Sequence, residues 1–289
     1  MPVDHSPLPN ALVSASWLAR RLLAGDPGLL VVDATVYAVS GGYVTGDEKY
    51  LLEGHLPGAV FADLLEEFSD PFGHFPFTRP NAARFAAAAG RLGIGPDTTV
   101  VVYDGSIGQW ASRFWWLLRS FGHDRAAVLD GGLVAWTATG GALDVGHVEP
   151  VPAVFEAHER PELWVDKAEI ERILAGGEEA TLVCSVPPKE FSGEVSPRPR
   201  AGHIPGSVSI PVGRLFDRES NTFLGEETLR EVLAPAIGGR VIAYCGGGIA
   251  ASNLAFNLLR AGWTDLAVYD GSLDEWGRDP ALPMETGPG

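Results

Sequence analysis

The chain has 289 residues, 46% of them hydrophobic, and it carries a formal net charge of −16. This length accommodates two ordinary domains or one large one, and the acidic balance argues against nucleic acid or an anionic membrane surface as a general partner. No apolar run is long enough to span a membrane. The first residues lack the basic region and apolar core of an export signal, so we expect a cytoplasmic protein.

Cysteine content gives a second constraint on the class of protein. The sequence contains two cysteines, Cys184 and Cys245. So few cysteines predict a reduced protein without a disulfide framework. Because the two do not form a CxxC pair, there is little basis for a structural zinc site, and we expect neither a metal nor a cofactor.

In the first half of the chain, short apolar strands are predicted to alternate with amphipathic helices. A strand over residues 29–34 leads to a His-x-Pro-Gly turn and a second strand over 59–61. A helix over 82–92 follows, and then a strand that ends next to Asp104. Such alternation is typical of α/β units on a mainly parallel sheet, in which ligands bind beyond the carboxyl ends of the strands.

The same order of elements recurs in the second half of the chain. Strands over 181–185 and 208–210 and a helix over 226–233 precede a strand–turn–helix block around Cys245. Five blocks match in sequence: residues 30–33 with 181–184, 54–60 with 202–208, 100–106 with 241–247, 117–119 with 258–260, and 128–133 with 268–273. The third and fourth pairs share an offset of 141 residues (241 minus 100), and one residue of slippage precedes the fifth.

These blocks predict two copies of one domain. We place the first copy at residues 1–145 and the second at 161–289, joined by a linker over 146–160 that is rich in proline and charge. The end of the chain, residues 283–289, is predicted to be an unstructured tail.

The two copies differ at the residue that follows their central strand, which is Asp104 in the first copy and Cys245 in the second. A glycine-rich turn and a helix follow, so the sulfur would face backbone N–H groups at the positive end of the helix dipole. Such surroundings favour the thiolate, the reactive form of cysteine. We expect the second copy to be catalytic, whereas the alternative is that Cys245 is a buried small hydrophobe. The predicted cradle comprises Gly246, Gly247, Gly248, Ile249 and Ala250.

Three other chemistries use a glycine-rich turn between a strand and a helix. A phosphatase loop would need an arginine at Ala251 to clamp phosphate, and residues 241–259 contain no Arg or Lys. A dinucleotide-binding turn would open its domain, whereas this turn lies in the last βαβ unit. A papain-like pair would need a histidine beside Cys245. The candidates, His55 and His203, belong to a turn that recurs in both copies, which favours a structural role for both.

Three motifs carry a resemblance to a known family: Gly-His-Ile-Pro-Gly over 202–206, Tyr-Cys-Gly-Gly-Gly over 244–248, and Tyr-Asp-Gly-Ser over 269–272 with Trp276. Over about residues 10–280, the two-copy chain resembles the tandem-domain rhodanese-like sulfurtransferases. The resemblance implies two rhodanese-like α/β domains and a ping-pong reaction. In it, Cys245 takes a sulfane sulfur from a donor, holds it as a persulfide, and passes it to cyanide, a thiol or a protein acceptor.

The turn after the cysteine bears on the donor. Family members that use thiosulfate carry Arg and Lys there, whereas those that use 3-mercaptopyruvate carry a small uncharged turn, so 3-mercaptopyruvate is favoured and thiosulfate comes next. Two positions depart from the family pattern. Gly247 replaces a hydroxyl residue, and Val186 replaces an arginine that helps to bind the donor. The candidate replacements for that arginine are Arg198, Arg200 and Lys189.

Further roles follow from the resemblance alone. Relatives that use mercaptopyruvate have a proton relay that includes a histidine at the position of His55, for which Asp47 would be the acid. The alternative is that His55 satisfies turn carbonyls. Cys184 is expected to pack in its strand, with a resolving thiol as the alternative. A non-enzymatic sulfur carrier or interaction module stays open as a different class of function, because Val186 suggests a degenerate donor site.

Overall fold

The computed structural model describes residues 8 and 10–288, and the chain divides into two compact units. The first unit runs to Pro71 and includes Arg79–Glu159 and Arg218–Phe223. The second consists of Phe72–Thr78, Arg160–Asp217 and the chain from Leu224 onward. Each unit therefore contains one short segment from the other half of the sequence, which the sequence patterns did not indicate.

The first unit is built on a parallel sheet of five strands in the order β1-β7-β6-β2-β5, and β3 and β4 form a separate antiparallel pair. Its elements are β1 (Leu12–Val13), α1 (Ala15–Leu23), β2 (Leu29–Asp33), β3 (Val36–Val39), β4 (Gly42–Thr45), α2 (Asp47–Leu52), β5 (Val60–Phe61), α3 (Ala82–Arg91), β6 (Thr99–Tyr103), α4 (Gln109–Ser120), β7 (Ala126–Leu129) and α5 (Gly132–Ala138).

The second unit repeats this arrangement with strand order β8-β12-β11-β9-β10, again all parallel. Its elements are β8 (Trp164–Val165), α6 (Lys167–Leu174), β9 (Thr181–Cys184), α7 (Pro188–Phe191), β10 (Val208–Ser209), α8 (Glu226–Leu233), β11 (Val241–Tyr244), α9 (Ile249–Arg260), β12 (Leu266–Tyr269) and α10 (Ser272–Trp276). The prediction of a duplicated α/β fold with mainly parallel sheets is confirmed. Within the described chain, no helix is long and apolar enough to cross a membrane.

The central strands, β6 and β11, are buried at every residue. Their apolar, largely β-branched sequences suit strands that helices cover on both faces. Trp136 and Trp276 close the two cores at equivalent positions, and their indole N–H groups donate to the carbonyls of Ala142 and Pro283, both at 2.9 Å. Burial of a large side chain of this kind contributes about 3 kcal/mol.

The two copies lose register earlier than the sequence comparison indicated. Helices α4 and α9 both have 12 residues, and each follows a glycine in the left-handed conformation, Gly108 with φ 78° and Gly248 with φ 82°. Since glycine adopts this conformation without steric cost, it fixes where each helix begins. The helices are thus related by 140 residues (248 minus 108), and the match of 117–119 with 258–260 was wrong. The extra residue lies in the turn after Asp104.

Residues 283–288 contradict the prediction of an unstructured tail. Glu285 and His203 form a β-bridge in which each backbone N–H donates to the other's carbonyl at 2.9 Å. The Glu285 carboxylate also accepts from the N–H of Gly206 at 3.0 Å. His55 and Asp144 form the same kind of bridge in the first unit. The segment is held because the His-x-Pro-Gly turn offers it backbone groups, which a composition-based prediction does not see.

Candidate active site

Cys245 lies at the carboxyl end of β11, between that strand and α9. This is the edge of a parallel sheet at which α/β proteins bind ligands. The residue is 3% exposed. A Gly248 with φ 82° then leads into the first turn of α9, whose N–H groups have no partners within the helix. Cys245 therefore lies between the end of a strand and the N-terminus of a helix.

The N-terminal end of α10 holds the backbone of this turn. The N–H of Cys245 donates to Ser272 Oγ at 3.0 Å. In return, the N–H groups of Leu273 and Asp274 donate to the carbonyls of Cys245 and Gly246 at 3.0 and 2.8 Å. Ser272 adopts φ 49°, a conformation that is unfavourable for a residue with a side chain. Its hydroxyl also donates to the Tyr269 carbonyl at 2.7 Å.

The turn of the first copy shows what its backbone N–H groups bind. The fully buried Asp104 carboxylate accepts four of them, at 2.8 to 3.0 Å. The donors are Ser106, Gly108, Trp110 and Ala111. Burial raises the pKa of Asp104, and these four hydrogen bonds oppose that rise. The backbone N–H groups of this turn, which we call the amide frame, thus bind a carboxylate without help from a basic side chain. By the register of the helices, Gly248, Ala250 and Ala251 match three of these donors.

Arg198 lies at the edge of the second turn, between two carboxylates. Its Nε donates to Asp274 Oδ1 at 2.7 Å and its Nη1 to Glu190 Oε2 at 2.8 Å. Burial alone would lower the pKa of Arg198, but these two partners outweigh it and raise the pKa. The remaining nitrogen, Nη2, lies against Gly246, where a Cβ atom would overlap it. A side chain at position 246 would therefore displace the guanidinium of Arg198 from its place against the backbone.

The other two basic residues considered for donor binding, Arg200 and Lys189, have partners away from the turn. Arg200 Nη1 donates to the backbone carbonyl of Asp279 at 2.7 Å, and Lys189 Nζ lies 2.8 Å from a Glu194 carboxylate on an exposed helix end. Val186 is buried. Of the three residues considered as replacements for the family's arginine, we therefore retain Arg198 alone.

The histidines of the repeated turn bind their own turns. His55 is fully buried, with Nδ1 2.9 Å from the Leu56 carbonyl and Nε2 3.1 Å from the Gly146 carbonyl. His203 Nδ1 lies 2.8 Å from the Phe191 carbonyl. Asp47 is exposed at the start of α2. These contacts support the alternative in which His55 satisfies turn carbonyls, and we leave the His55–Asp47 relay out of the site.

Cys184, the second cysteine, ends β9 and is fully buried beside Tyr244 on β11. Burial raises the pKa of its thiol to about 12. A thiol with such a pKa is protonated at neutral pH and is a poor nucleophile. This supports packing in the strand and weakens the alternative of a resolving thiol.

Sequence patterns missed several residues around the turn. Glu190 and Asp274 are polar residues whose contacts depend on tertiary structure. Ser272 was named as the last residue of the Tyr-Asp-Gly-Ser motif, but the sequence assigned it no contact with Cys245. The segment Phe72–Thr78 also reaches the turn, since the carbonyl of Pro76 lies 3.9 Å from the position of a Cβ on Gly247.

Comparison with known proteins agrees with this fold. The model of the rhodanese-like domain matches residues 14–139 and 168–279. The chain is 34% identical to 3-mercaptopyruvate sulfurtransferase of Escherichia coli, over 94% of this chain and 97% of the relative. It is 36% identical to thiosulfate sulfurtransferase of Bos taurus, over 94% of this chain and 93% of the relative.

A solved structure is similar over most of its length. The crystal structure of SseA from Escherichia coli, described as a 3-mercaptopyruvate sulfotransferase, superposes with a TM-score of 0.81 at 30% identity. The match covers 91% of this chain and 98% of SseA. The relatives and the repeated fold agree on one assignment: the chain belongs to the rhodanese-like family and is a tandem-domain sulfurtransferase.

Proposed function

We propose that the protein transfers sulfur from 3-mercaptopyruvate to a thiol or cyanide through a persulfide on Cys245. The Cys245 thiolate attacks the donor sulfur, and an S–S bond forms as the C–S bond breaks. The electron pair of that bond leaves as the enolate of pyruvate, which takes the proton from the new persulfide. The acceptor then attacks the outer sulfur, and the S–S electron pair returns to Cys245 as a thiolate.

The single observation that supports this most is the Asp104 carboxylate with its four backbone N–H donors. Matching amides in the second copy belong to Gly248, Ala250 and Ala251, whereas the residue after its strand carries a thiol. An outer persulfide sulfur would extend from Cys245 toward these amides, as the carboxylate oxygens do from the Asp104 backbone. Backbone N–H groups at a helix N-terminus stabilise such an anion without a basic side chain.

Charge at the rim of the turn favours 3-mercaptopyruvate over thiosulfate. One guanidinium, that of Arg198, lies there with two carboxylates, those of Glu190 and Asp274, 2.7 to 2.8 Å from its nitrogens. The three groups together carry one negative charge. A dianion such as thiosulfate is repelled more strongly than a monocarboxylate by this arrangement. We infer that Nη2 of Arg198 binds the carboxylate of the donor.

The competing proposal is that the protein is a sulfur carrier, which holds a persulfide but does not turn over a small donor. Its support is Val186, an apolar buried residue at the position where the family has a donor-binding arginine. If Arg198 does not replace that arginine, the protein would hold a persulfide made elsewhere instead of forming it from a small donor.

Incubation with each donor tests these proposals. The intact mass of the protein is expected to rise by one sulfur atom with 3-mercaptopyruvate, and thiocyanate is expected to accumulate when cyanide is added. Cys245→Ser is the matched control and should do neither. Loading by thiosulfate alone would show that the donor was misassigned. Loading from a persulfide without turnover of either donor would favour the carrier, and no adduct under any condition would refute persulfide chemistry.

A further inference from the structure

Ser185 is a buried serine whose hydroxyl has no hydrogen-bond partner in the described part of the chain. It follows β9 directly, and its backbone is fully engaged: its N–H donates to the Tyr244 carbonyl at 2.9 Å and its carbonyl accepts from Val212 at 3.2 Å. Buried polar side chains in folded proteins almost always have partners. An exception with well-ordered backbone bonds therefore points to a partner that this state of the protein does not supply.

Strand register places this hydroxyl beside the nucleophile. In the parallel pair of β9 and β11, Cys184 lies opposite Tyr244. The Ser185 N–H donates to the Tyr244 carbonyl at 2.9 Å, which continues the ladder by one residue and sets Ser185 opposite Cys245. Successive side chains on a strand alternate between faces, and paired residues on neighbouring strands, about 4.8 Å apart, share a face. The Ser185 hydroxyl and the Cys245 sulfur thus lie on the same face of the sheet, opposite to Cys184.

Comparison of the two copies supports a role that is specific to the thiol. Ala34 occupies the position of Ser185 in the first copy, because its N–H donates to the Tyr103 carbonyl at 2.9 Å just as Ser185 does to Tyr244. Ala34 is fully buried next to β6, the strand that Asp104 follows. The first copy, in which backbone amides already bind the Asp104 carboxylate, therefore has the methyl group of Ala34 at this position. The second copy, which has Cys245, has the hydroxyl of Ser185.

Other hydroxyls near the turn already donate their protons to the backbone. Ser272 donates to Tyr269 at 2.7 Å, and Ser252 donates to the Gly248 carbonyl at 2.8 Å. Ser185 differs from both because no carbonyl in the described chain accepts its proton.

We propose that Ser185 is a catalytic residue whose hydroxyl donates a hydrogen bond to the Cys245 sulfur when that sulfur becomes a thiolate. A neutral thiol is a weak acceptor, whereas a thiolate is a charged one and forms much stronger bonds. The bond would therefore exist in the reacting state and be absent in the resting thiol. This inference rests on the proposed function, since it assigns Ser185 to both half-reactions, the attack by the thiolate and its departure from the persulfide.

The test compares Ser185→Ala with Ser120→Ala. Ser120 is a buried serine of the first unit whose hydroxyl donates to the Leu117 carbonyl at 2.9 Å. The rate of Cys245 alkylation by iodoacetamide is measured against pH, and the melting temperature of each variant is recorded. In Ser185→Ala the midpoint of alkylation is expected to rise by about one pH unit, with no loss of melting temperature. In Ser120→Ala the melting temperature falls and the midpoint stays.

Two results would overturn the inference. One is an unchanged alkylation midpoint in Ser185→Ala. The other is a marked fall in its melting temperature, because the hydroxyl would then have a partner in the resting protein. Alkylation uses no sulfur donor, so failure of the wild-type protein to form a persulfide would refute the proposed function and leave this measurement intact. Where the wild type does turn over, transfer to cyanide should slow roughly tenfold in Ser185→Ala.

Discussion

The turns that follow β6 and β11 share one frame and differ in what that frame encloses. Asp104 fills the first turn with its own carboxylate and satisfies four N–H groups. The second turn begins with Cys245, which has a thiol in place of the carboxylate. The backbone N–H of Cys245 donates to the Ser272 hydroxyl. The first turn therefore has its own acceptor for these amides. The second turn has no such carboxylate, so its chemistry depends on the sulfur donor that binds there.

Segments from the other half of the sequence reach both turns. In the first unit, Asn221 Nδ2 donates to the Ser106 carbonyl at 2.6 Å, and the Phe223 N–H donates to Asp130 at 2.8 Å. In the second unit, Arg278 Nη1 donates to the His74 carbonyl at 3.2 Å. The segment near Asp104 therefore forms a hydrogen bond with the turn itself, through the side chain of Asn221. The segment near Cys245 forms its hydrogen bond with Arg278, which lies outside the turn.

The largest expected difference between the two turns concerns stability. Asp104→Ala leaves four N–H groups, three of them buried, without their acceptor, which should lower the free energy of unfolding by on the order of 4 kcal/mol. Cys245→Ala removes no such acceptor and should lower it by about 1 kcal/mol or less. Urea denaturation of both variants measures the contrast. Equal losses would show that the two turns do not differ in the way described.

A pH-dependent difference is expected at the strand ends next to the turns, where Asp33 and Cys184 occupy equivalent positions. Burial raises the pKa of Asp33 to about 6, against the hydrogen bonds from Thr35 that lower it. A carboxyl whose folded pKa is raised stabilises the fold at low pH, and this contribution is lost as pH rises from about 4 to about 6.

Asp33→Asn removes that dependence. The free energy of unfolding of the variant, relative to the wild type, should therefore rise by about 2 to 3 kcal/mol between pH 4 and pH 7. Denaturation curves at several pH values measure the trend. A difference that stays constant with pH would show that Asp33 titrates normally in the folded protein.

A smaller effect is expected from the arginine at the rim of the second turn. Arg198→Met should raise the KM for 3-mercaptopyruvate roughly tenfold, because one charge-assisted hydrogen bond to the donor is lost. The alkylation of Cys245 by uncharged iodoacetamide should change little. Arg200→Met is the matched control, and an equal rise in KM for this variant would mean that the wrong arginine was assigned.

The smallest effect is expected at the second cysteine. With its pKa near 12, the Cys184 thiol should resist iodoacetamide at pH 8 while Cys245 reacts. Cys184→Ala should keep the rate of persulfide formation within about twofold of the wild type, since the replacement removes only packing contacts. Rapid alkylation of Cys184, or a lost persulfide in this variant, would restore the resolving-thiol alternative.

Much of the fold could be predicted because it is repeated and periodic. The helix predicted over residues 226–233 begins and ends where α8 (Glu226–Leu233) does, and the strand predicted over 181–185 is one residue longer than β9 (Thr181–Cys184). The two-residue strands β1 and β8 and the β3–β4 pair were not predicted, because such short segments carry no measurable periodicity.

The candidate site also has features that the sequence predicts and features that only the structure shows. The turn at Cys245 could be placed from local pattern, and Arg198 could be named as a charged residue on a nearby loop. Its pairing with Glu190 and Asp274 could not, because those residues lie 8 and 76 positions away in the sequence. Loop arginines have no periodic signal, so Arg198 and Arg200 could be separated only by their contacts.

Direct mapping of the transferred sulfur tests the central claim, that Cys245 alone carries it. After incubation with 3-mercaptopyruvate, alkylation and digestion with trypsin, Cys245 lies on the peptide 241–260 and Cys184 on the peptide 173–189. The account predicts one additional sulfur atom on the first peptide and none on the second. Extra sulfur on the Cys184 peptide, or an unmodified Cys245 peptide during active turnover, would contradict it.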